Sequence, residues 1–240
     1  MKKVLLLLLI FFAHNLFAQE DFTYDDFSYT IKRNNTITIT GYNGYSSSVN
    51  IPYVIEGKIV TTIGDGAFYD CDSLTSIAIP NSVTTIGANA FYSCMSLTSI
   101  IIPNSVTTIG SEAFYGCDSL TSITIPDSVT TIGNYAFFNC KSLTSVTIPN
   151  SVTTIGSNAF CGCTSLTSIT IPNSVTTIGY GTFSSCESLT SITIPKSVTT
   201  IGDEAFEGCK SLTIQCNSGS YAKKYCKKNN LEYIITPDRL

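Results

Sequence analysis

The sequence predicts a solenoid: a continuous stack of short coils around one core, with a parallel main sheet and a different cap at each end. Three observations predict it. Glycine, phenylalanine, cysteine and proline each recur every 23 residues, from Gly64 to Gly202, Phe68 to Phe206, Cys71 to Cys209 and Pro80 to Pro195. Inside each unit, alternating apolar and hydroxyl residues mark a strand that a proline then stops. No single unit can bury its Leu, Ile, Val, Phe and Cys alone, whereas stacked coils set each against its equivalent about 4.8 Å away.

Six full units run from Ser73 to Lys210. In the unit Ser165–Glu187, Leu166 to Ile171 ends in strand alternation, apolar inward and hydroxyl outward. Pro172 cannot donate to a ladder and closes that strand. Val175 to Ile178 is a second, short extended segment. Gly179 is expected to turn the chain with a positive φ. Thr182, Phe183 and Cys186 follow at helical spacing, so a single helical or 3₁₀ turn is expected. Each coil thus contributes one strand to the main sheet. Seven to eight coils at strand spacing give a body on the order of 35–40 Å long.

A solenoid exposes its core at both ends unless it is capped. Tyr29–Lys32 and Thr36–Thr40 flank Asn34 and Asn35, the pattern of a hairpin. Pro52 to Gly64 is five residues longer than the equivalent Pro80 to Gly87, so the first coil is a variant. At the other end, residues 220–228 read as a short helix, with Tyr221, Ala222 and Tyr225 inward and lysines outward. Leu231 to Ile235 supplies a last strand.

The strand pattern Leu-x-x-Ile-x-Ile is that of leucine-rich repeats. The rest of the unit, Ile-Pro-Asn-Ser-Val-Thr-Thr-Ile-Gly-x-x-Ala-Phe-x-x-Cys, closely resembles the BspA-like leucine-rich repeat of bacterial surface and secreted proteins. The resemblance extends from about Ile51 to the end of the chain. It implies a right-handed, curved leucine-rich-repeat solenoid with a role in adhesion or protein–protein contact and no shared catalytic residues. The asparagine that follows the strand in most leucine-rich repeats is missing. Pro80 and its equivalents stand in that region, so the turn must satisfy its backbone groups differently.

The first residues resemble a secretory signal. Lys2 and Lys3 precede an apolar run from Val4 to Phe12, and cleavage is expected after Ala18. The run is too short for a bilayer span. Residues 1–18 are read as signal, 19–72 as N-terminal cap and first coil, 73–210 as six repeats and 211–240 as C-terminal cap. The mature chain would hold 11 basic and 17 acidic residues, a net charge of −6, and would lose His14, the single histidine. A net acidic chain with two arginines is poorly suited to nucleic acid. A chain without histidine lacks the commonest general acid/base.

Three side-chain columns are candidates for chemistry. The cysteine column, spaced by 23, lacks the short intervals of a zinc site and reads as small buried hydrophobes. Cys216 and Cys226, flanking the terminal helix, are open to two readings, a bridge or two free thiols. A hydroxyl ladder lies on the outward strand face: Ser122, Ser145, Ser168 and Ser191 beside Thr124, Thr147, Thr170 and Thr193. It is uncharged, so it suits broad contacts, or serves merely as a β-compatible surface. An aromatic stripe, Tyr69, Tyr92, Tyr115 and Phe138, follows the core phenylalanines as an exposed patch or an outer shell. The acids are scattered over turns rather than clustered on a strand face, against glycoside cleavage.

The expected function is therefore non-enzymatic: a secreted or cell-surface adhesion protein that meets host matrix or neighbouring-cell proteins through the solenoid surface. A glycan- or ice-type lattice binder and a structural spacer are the other classes. No cofactor, metal or nucleic acid is expected, and no stable membrane span after signal cleavage.

Overall fold

The computed structural model describes residues 21–237; the signal segment and its cleavage site lie outside the described residues. The chain winds as a parallel solenoid. Each repeat gives one Ser-x-Thr strand, such as Ser122–Thr124 or Ser168–Thr170, and one Thr-Ile strand, such as Thr131–Ile132. Equivalent residues pair in register: Ser168 with Ser191, Ile169 with Ile192, Thr170 with Thr193. The repeat thus sets the register as well as the composition of the sheet.

The two strand rows differ in continuity. The short Thr-Ile strands, expected as minor segments, form the longest ladder, an 11-stranded sheet that includes the N-terminal cap. The Ser-x-Thr strands fall into sheets of three, two and four. Breaks lie between Ser99–Ile101 and Ser122–Thr124, and between Ser145–Thr147 and Ser168–Thr170.

The segment after each Thr-Ile strand is not a helical turn. It is a series of hydrogen-bonded turns, as in Tyr69 N to Gly66 O at 3.0 Å and Leu74 N to Cys71 O at 3.0 Å. Left-handed residues interrupt it twice per coil, at Glu112 and Gly116 and at Tyr135 and Asn139 in successive coils. A positive φ at two residues four apart prevents a helix from propagating. Turns of neighbouring coils are tied together in one sense: Phe91 N bonds Ala113 O, Phe114 N bonds Ala136 O, and Phe137 N bonds Ala159 O, each at 2.8 Å.

The expected positive φ at Gly179 is not found. Gly181, two residues on, takes it, with φ +56. The column of Gly87, Gly110, Gly133, Gly156, Gly179 and Gly202 exists because the coils approach too closely there for a side chain. A Cβ on Gly179 would lie 2.5 Å from the Ser157 backbone nitrogen.

Several left-handed positions carry residues with a Cβ, which costs about 1–2 kcal/mol at such angles. Ser185 has φ 58, where three other coils place Gly116, Gly162 and Gly208. Ser185→Gly is expected to stabilise the protein by about 0.5–1 kcal/mol, the strain relief less the added chain entropy. A urea midpoint that falls on this substitution would contradict the account.

The core is one continuous cluster along the axis. Its spine is the phenylalanine column, stacked nearly parallel with ring centroids 5.2 Å apart at Phe91–Phe114 and 5.6 Å at Phe183–Phe206. Tyrosines close it at both ends: Tyr42 stacks on Phe68 at 5.5 Å, and Tyr225 meets Phe206 edge-on at 6.1 Å.

The caps take the expected forms with local differences. Phe27–Ile31 and Ile37–Tyr42 form the antiparallel hairpin, and Phe22–Tyr24 adds an outer strand. The hairpin joins the Thr-Ile sheet in parallel through Ile37–Tyr42. The C-terminal helix runs Tyr221–Lys228, and the Ser220 side chain accepts from Lys223 N. Its inward residues are Ala222, Tyr225 and Cys226; Tyr221, expected inward, is exposed. Four residues separate Ala222 from Cys226, which places both on one helix face. The last strand is Tyr233–Thr236.

The missing asparagine is replaced by two devices. Pro80 O accepts from Val83 N at 3.0 Å, closing a tight turn that recurs at Pro103, Pro126 and Pro149. The serine inside that turn reaches the preceding coil: Ser105 Oγ donates to Val83 O at 2.6 Å, and Ser151 Oγ to Val129 O at 2.6 Å.

Candidate functional site

The structure brings the hydroxyl ladder together in two blocks. Ser122 and Thr124 pair with Ser145 and Thr147, and Ser168 and Thr170 with Ser191 and Thr193. All but Ser191 and Thr193 are exposed, and those two are half-buried. Many other threonine hydroxyls are tied to the coil before: Thr98 Oγ1 donates to Thr75 O at 3.1 Å, and Thr144 Oγ1 to Thr121 O at 3.0 Å. Among the described residues, the only ladder hydroxyl bonded within the protein is that of Thr193, which donates to Gln215 Oε1 at 3.2 Å. The others are left facing outward.

The C-terminal block of this face forms the wall of an open concavity of about 780 Å³. Thr170, Thr193 and Gln215 line it from three successive strands. Asn150, Asn173 and Lys196 line it from the turns that follow the strands, with Pro172 and Pro195 as apolar floor. Gln215 and the turn asparagines were missed by the sequence reading. The available signal was that Gln215 breaks the threonine column. Toward the N-terminus the same column becomes apolar, through Ala78 and Ile101, the latter 83% exposed.

The aromatic stripe lies on the turn side of the coil. Tyr69, Tyr92, Tyr115 and Phe138 stack face to face, with centroids 4.8, 4.5 and 4.8 Å apart. The ring faces therefore cover one another, and edges and hydroxyls point outward. Tyr69, at the head of the stack, is 52% exposed. Burial first, then neighbouring Asp70, Tyr92 and Glu112, raises the Tyr69 phenol above its ordinary 10.

The cysteines are core. From Cys94 to Cys209, each thiol of the column donates to the carbonyl of a phenylalanine one coil back: Cys94 to Phe68 at 3.0 Å, Cys140 to Phe114 at 3.1 Å. Burial, as the largest cause, raises every column thiol, to about 11 at the end members Cys71 and Cys209 and well above the ordinary range at Cys117, Cys140 and Cys163. Raised pKa values make these thiols poor nucleophiles and poor metal ligands. All ten cysteines are free, including Cys216 and Cys226, whose thiols are close enough that Cys216 contributes, after burial, to raising Cys226 to about 12. Among the described residues no group of three His, Cys, Asp or Glu side chains is placed to hold a metal ion. No helix there is long and apolar enough to cross a membrane.

Similarity to known proteins follows the repeat. The family model described as BspA type leucine rich repeat region matches residues 18–119 and 84–213, in six copies. A leucine rich repeat protein of T. pallidum is similar in structure, with a TM-score of 0.76 and 31% identity over 90% of this chain and 99% of that one. A leucine-rich repeat protein from Bacteroides ovatus gives a TM-score of 0.76 and 36% identity over 83% of this chain. This chain spans about half, 53%, of that protein. A leucine rich cell surface protein from Faecalibacterium prausnitzii gives a TM-score of 0.51 and 29% identity, over 82% of this chain and 76% of that one. No curated protein matches.

Proposed function

The chain belongs to the BspA-type leucine-rich repeat family, and from that premise we propose that it is an exported, non-enzymatic adhesion protein that binds partner proteins through its Ser-x-Thr face. Repeat solenoids present extended surfaces suited to macromolecular partners. In this reading residues 19–72 and 211–240 cap the stack, and residues 73–210 carry the surface. The observation that supports it is the contrast among hydroxyls. Those of Thr98 and Thr144 are spent on the neighbouring coil, whereas those of Ser122, Thr124, Ser168 and Thr170 are not. The face passes from exposed Ile101 to the amide-rich concavity at Gln215, the mixture of apolar anchor and polar contact that protein interfaces use. Partners are host matrix or neighbouring-cell proteins.

A neutral glycan is the second reading. The amides of Asn150, Asn173 and Gln215 offer paired donors and acceptors of the kind that grip sugar hydroxyls. Both are tested by passing matrix proteins and a glycan array over immobilised residues 19–240. Protein binding at micromolar concentration is expected, weakened at least tenfold, about 1.4 kcal/mol, by Thr170→Arg with Thr193→Arg. Retention of glycans alone moves the assignment to the second reading. No retention of either at micromolar concentration overturns both.

A further inference from the structure

The turn side of the first four coils combines three features. The ladder of Tyr69, Tyr92, Tyr115 and Phe138 presents ring edges and phenol oxygens at coil spacing. Tyr69 leaves one ring face at the head of the ladder partly open. The carboxylates of Asp70 and Glu112 stand beside the ladder, and among the described residues no lysine or arginine lies within ion-pair distance of them. Farther along, two of the acids are paired: Lys141 bridges Asp118 at 2.7 Å, and Lys210 bridges Glu187 at 3.5 Å. Asp70 and Glu112 thus set unpaired negative charge directly beside the aromatic rings.

We propose that this ladder is a second docking surface, which takes an arginine-rich segment of a partner protein. It lies on a different side of the coil from the Ser-x-Thr face and does not depend on that face being a binding site. A guanidinium is planar, stacks on an aromatic face and donates to carboxylates in a fork, which matches what Tyr69 and its neighbouring acids offer. An ammonium makes the ion pair but not the stack. An acidic or purely apolar segment gains nothing from Asp70 and Glu112. The stacking of the rings on one another serves the same end, because a pre-stacked ladder loses little side-chain freedom on binding.

Only three of the thirteen tyrosines belong to the ladder, so binding is read by titration calorimetry rather than by tyrosine emission. Residues 19–240 are titrated with a nona-arginine peptide at low and at high salt, with nona-lysine as comparison. The expected result is saturable binding to nona-arginine, at least several-fold tighter than to nona-lysine and weaker in salt. Tyr69→Ala with Tyr92→Ala should reduce affinity about tenfold. Asp70→Asn with Glu112→Gln, which leaves every ring in place, should do the same and flatten the salt dependence. Glu207→Gln, a charge loss outside the ladder, should change little. Unchanged nona-arginine affinity in the tyrosine or carboxylate variants overturns the proposal. So does an equal loss in Glu207→Gln, since binding would then follow net charge alone. Failure of either control leaves the Ser-x-Thr face untouched, because matrix-protein binding is read separately.

Discussion

Gly110→Ala should cost the protein about 3 kcal/mol or more, although it adds one methyl group in an allowed backbone region. The added carbon would stand 2.5 Å from the Gly87 carbonyl carbon and 2.6 Å from the Ala88 nitrogen. Both are backbone atoms of the preceding coil, so no rotamer change relieves the contact. The coils must part, and parting strains the Gly110 N to Ile86 O bond of 2.9 Å and the Thr107 N to Thr84 O bond of 2.9 Å. Domains of this size have about 5–15 kcal/mol of stability, so the loss is a large fraction. In a stack where each coil touches only its neighbours, a weakened interface also lets the two halves melt apart. The urea transition is expected to move to lower concentration and broaden. Gly41→Ala is the control, because its Cβ meets only the Ser28 side chain, no closer than 3.4 Å; it should change stability by less than about 0.5 kcal/mol. Equal midpoints for the two variants would remove close approach as the reason for the glycine column.

Alkaline pH is expected to unfold the protein steeply between roughly pH 10 and 11. The thiols of Cys94, Cys117, Cys140, Cys163 and Cys186 are fully buried and stay protonated in the fold well above the ordinary value of 9.0, with burial the largest cause. In the unfolded chain they ionise near 9, so the unfolded state binds fewer protons above that pH. Stability is then complete below 9 and is lost as pH rises toward the folded values, by about 1.4 kcal/mol per pH unit for each thiol. By pH 10.5 five thiols amount to roughly 10 kcal/mol, comparable with the whole stability of a domain. Cys140→Ser removes one titrating group while its hydroxyl can still donate to the Phe114 carbonyl. The stability lost between pH 8 and 10.5 should shrink by about 2 kcal/mol in that variant. Urea denaturation at the two pH values measures it, and an unchanged difference would show that the column does not control alkaline unfolding.

The repeat made the core legible because burial and periodicity are the same signal here. Ile169, Phe183 and Leu189 are fixed in the interior by their recurrence alone. The glycine column was legible as a column but not as a cause, since a positive φ and a close approach both demand glycine. The true left-handed positions were hidden because Glu112, Tyr135 and Glu204 occupy them in place of glycine. The hydroxyl ladder could be read, but its division into blocks could not, because Thr147 and Thr170 lie in sequence contexts that differ only by Val146 for Ile169 near the strand and yet do not pair. The concavity depends on that division and on side chains outside the repeat consensus, such as Gln215 and Lys196. A reading of single columns does not place them together.

The one-way bonding of the turns gives that side of the molecule an electrical polarity of its own. At the margins of the strands, backbone groups donate to the preceding coil, as Thr107 N does to Thr84 O and Gly110 N to Ile86 O. On the turn side they do not: Gly66, Phe68 and Asp70 all donate toward the next coil, and so do Asn158, Phe160 and Gly162 four coils later. Their peptide dipoles add head to tail, as those of an α-helix do, leaving partial negative charge at the N-terminal end and partial positive charge at the C-terminal end. Asp203, Glu204 and Glu207 sit in the last coil, at the positive pole, where carboxylates are favoured. Each added coil lengthens the turn column and the opposed strand-margin column together, so repeat number extends two antiparallel columns rather than one net moment.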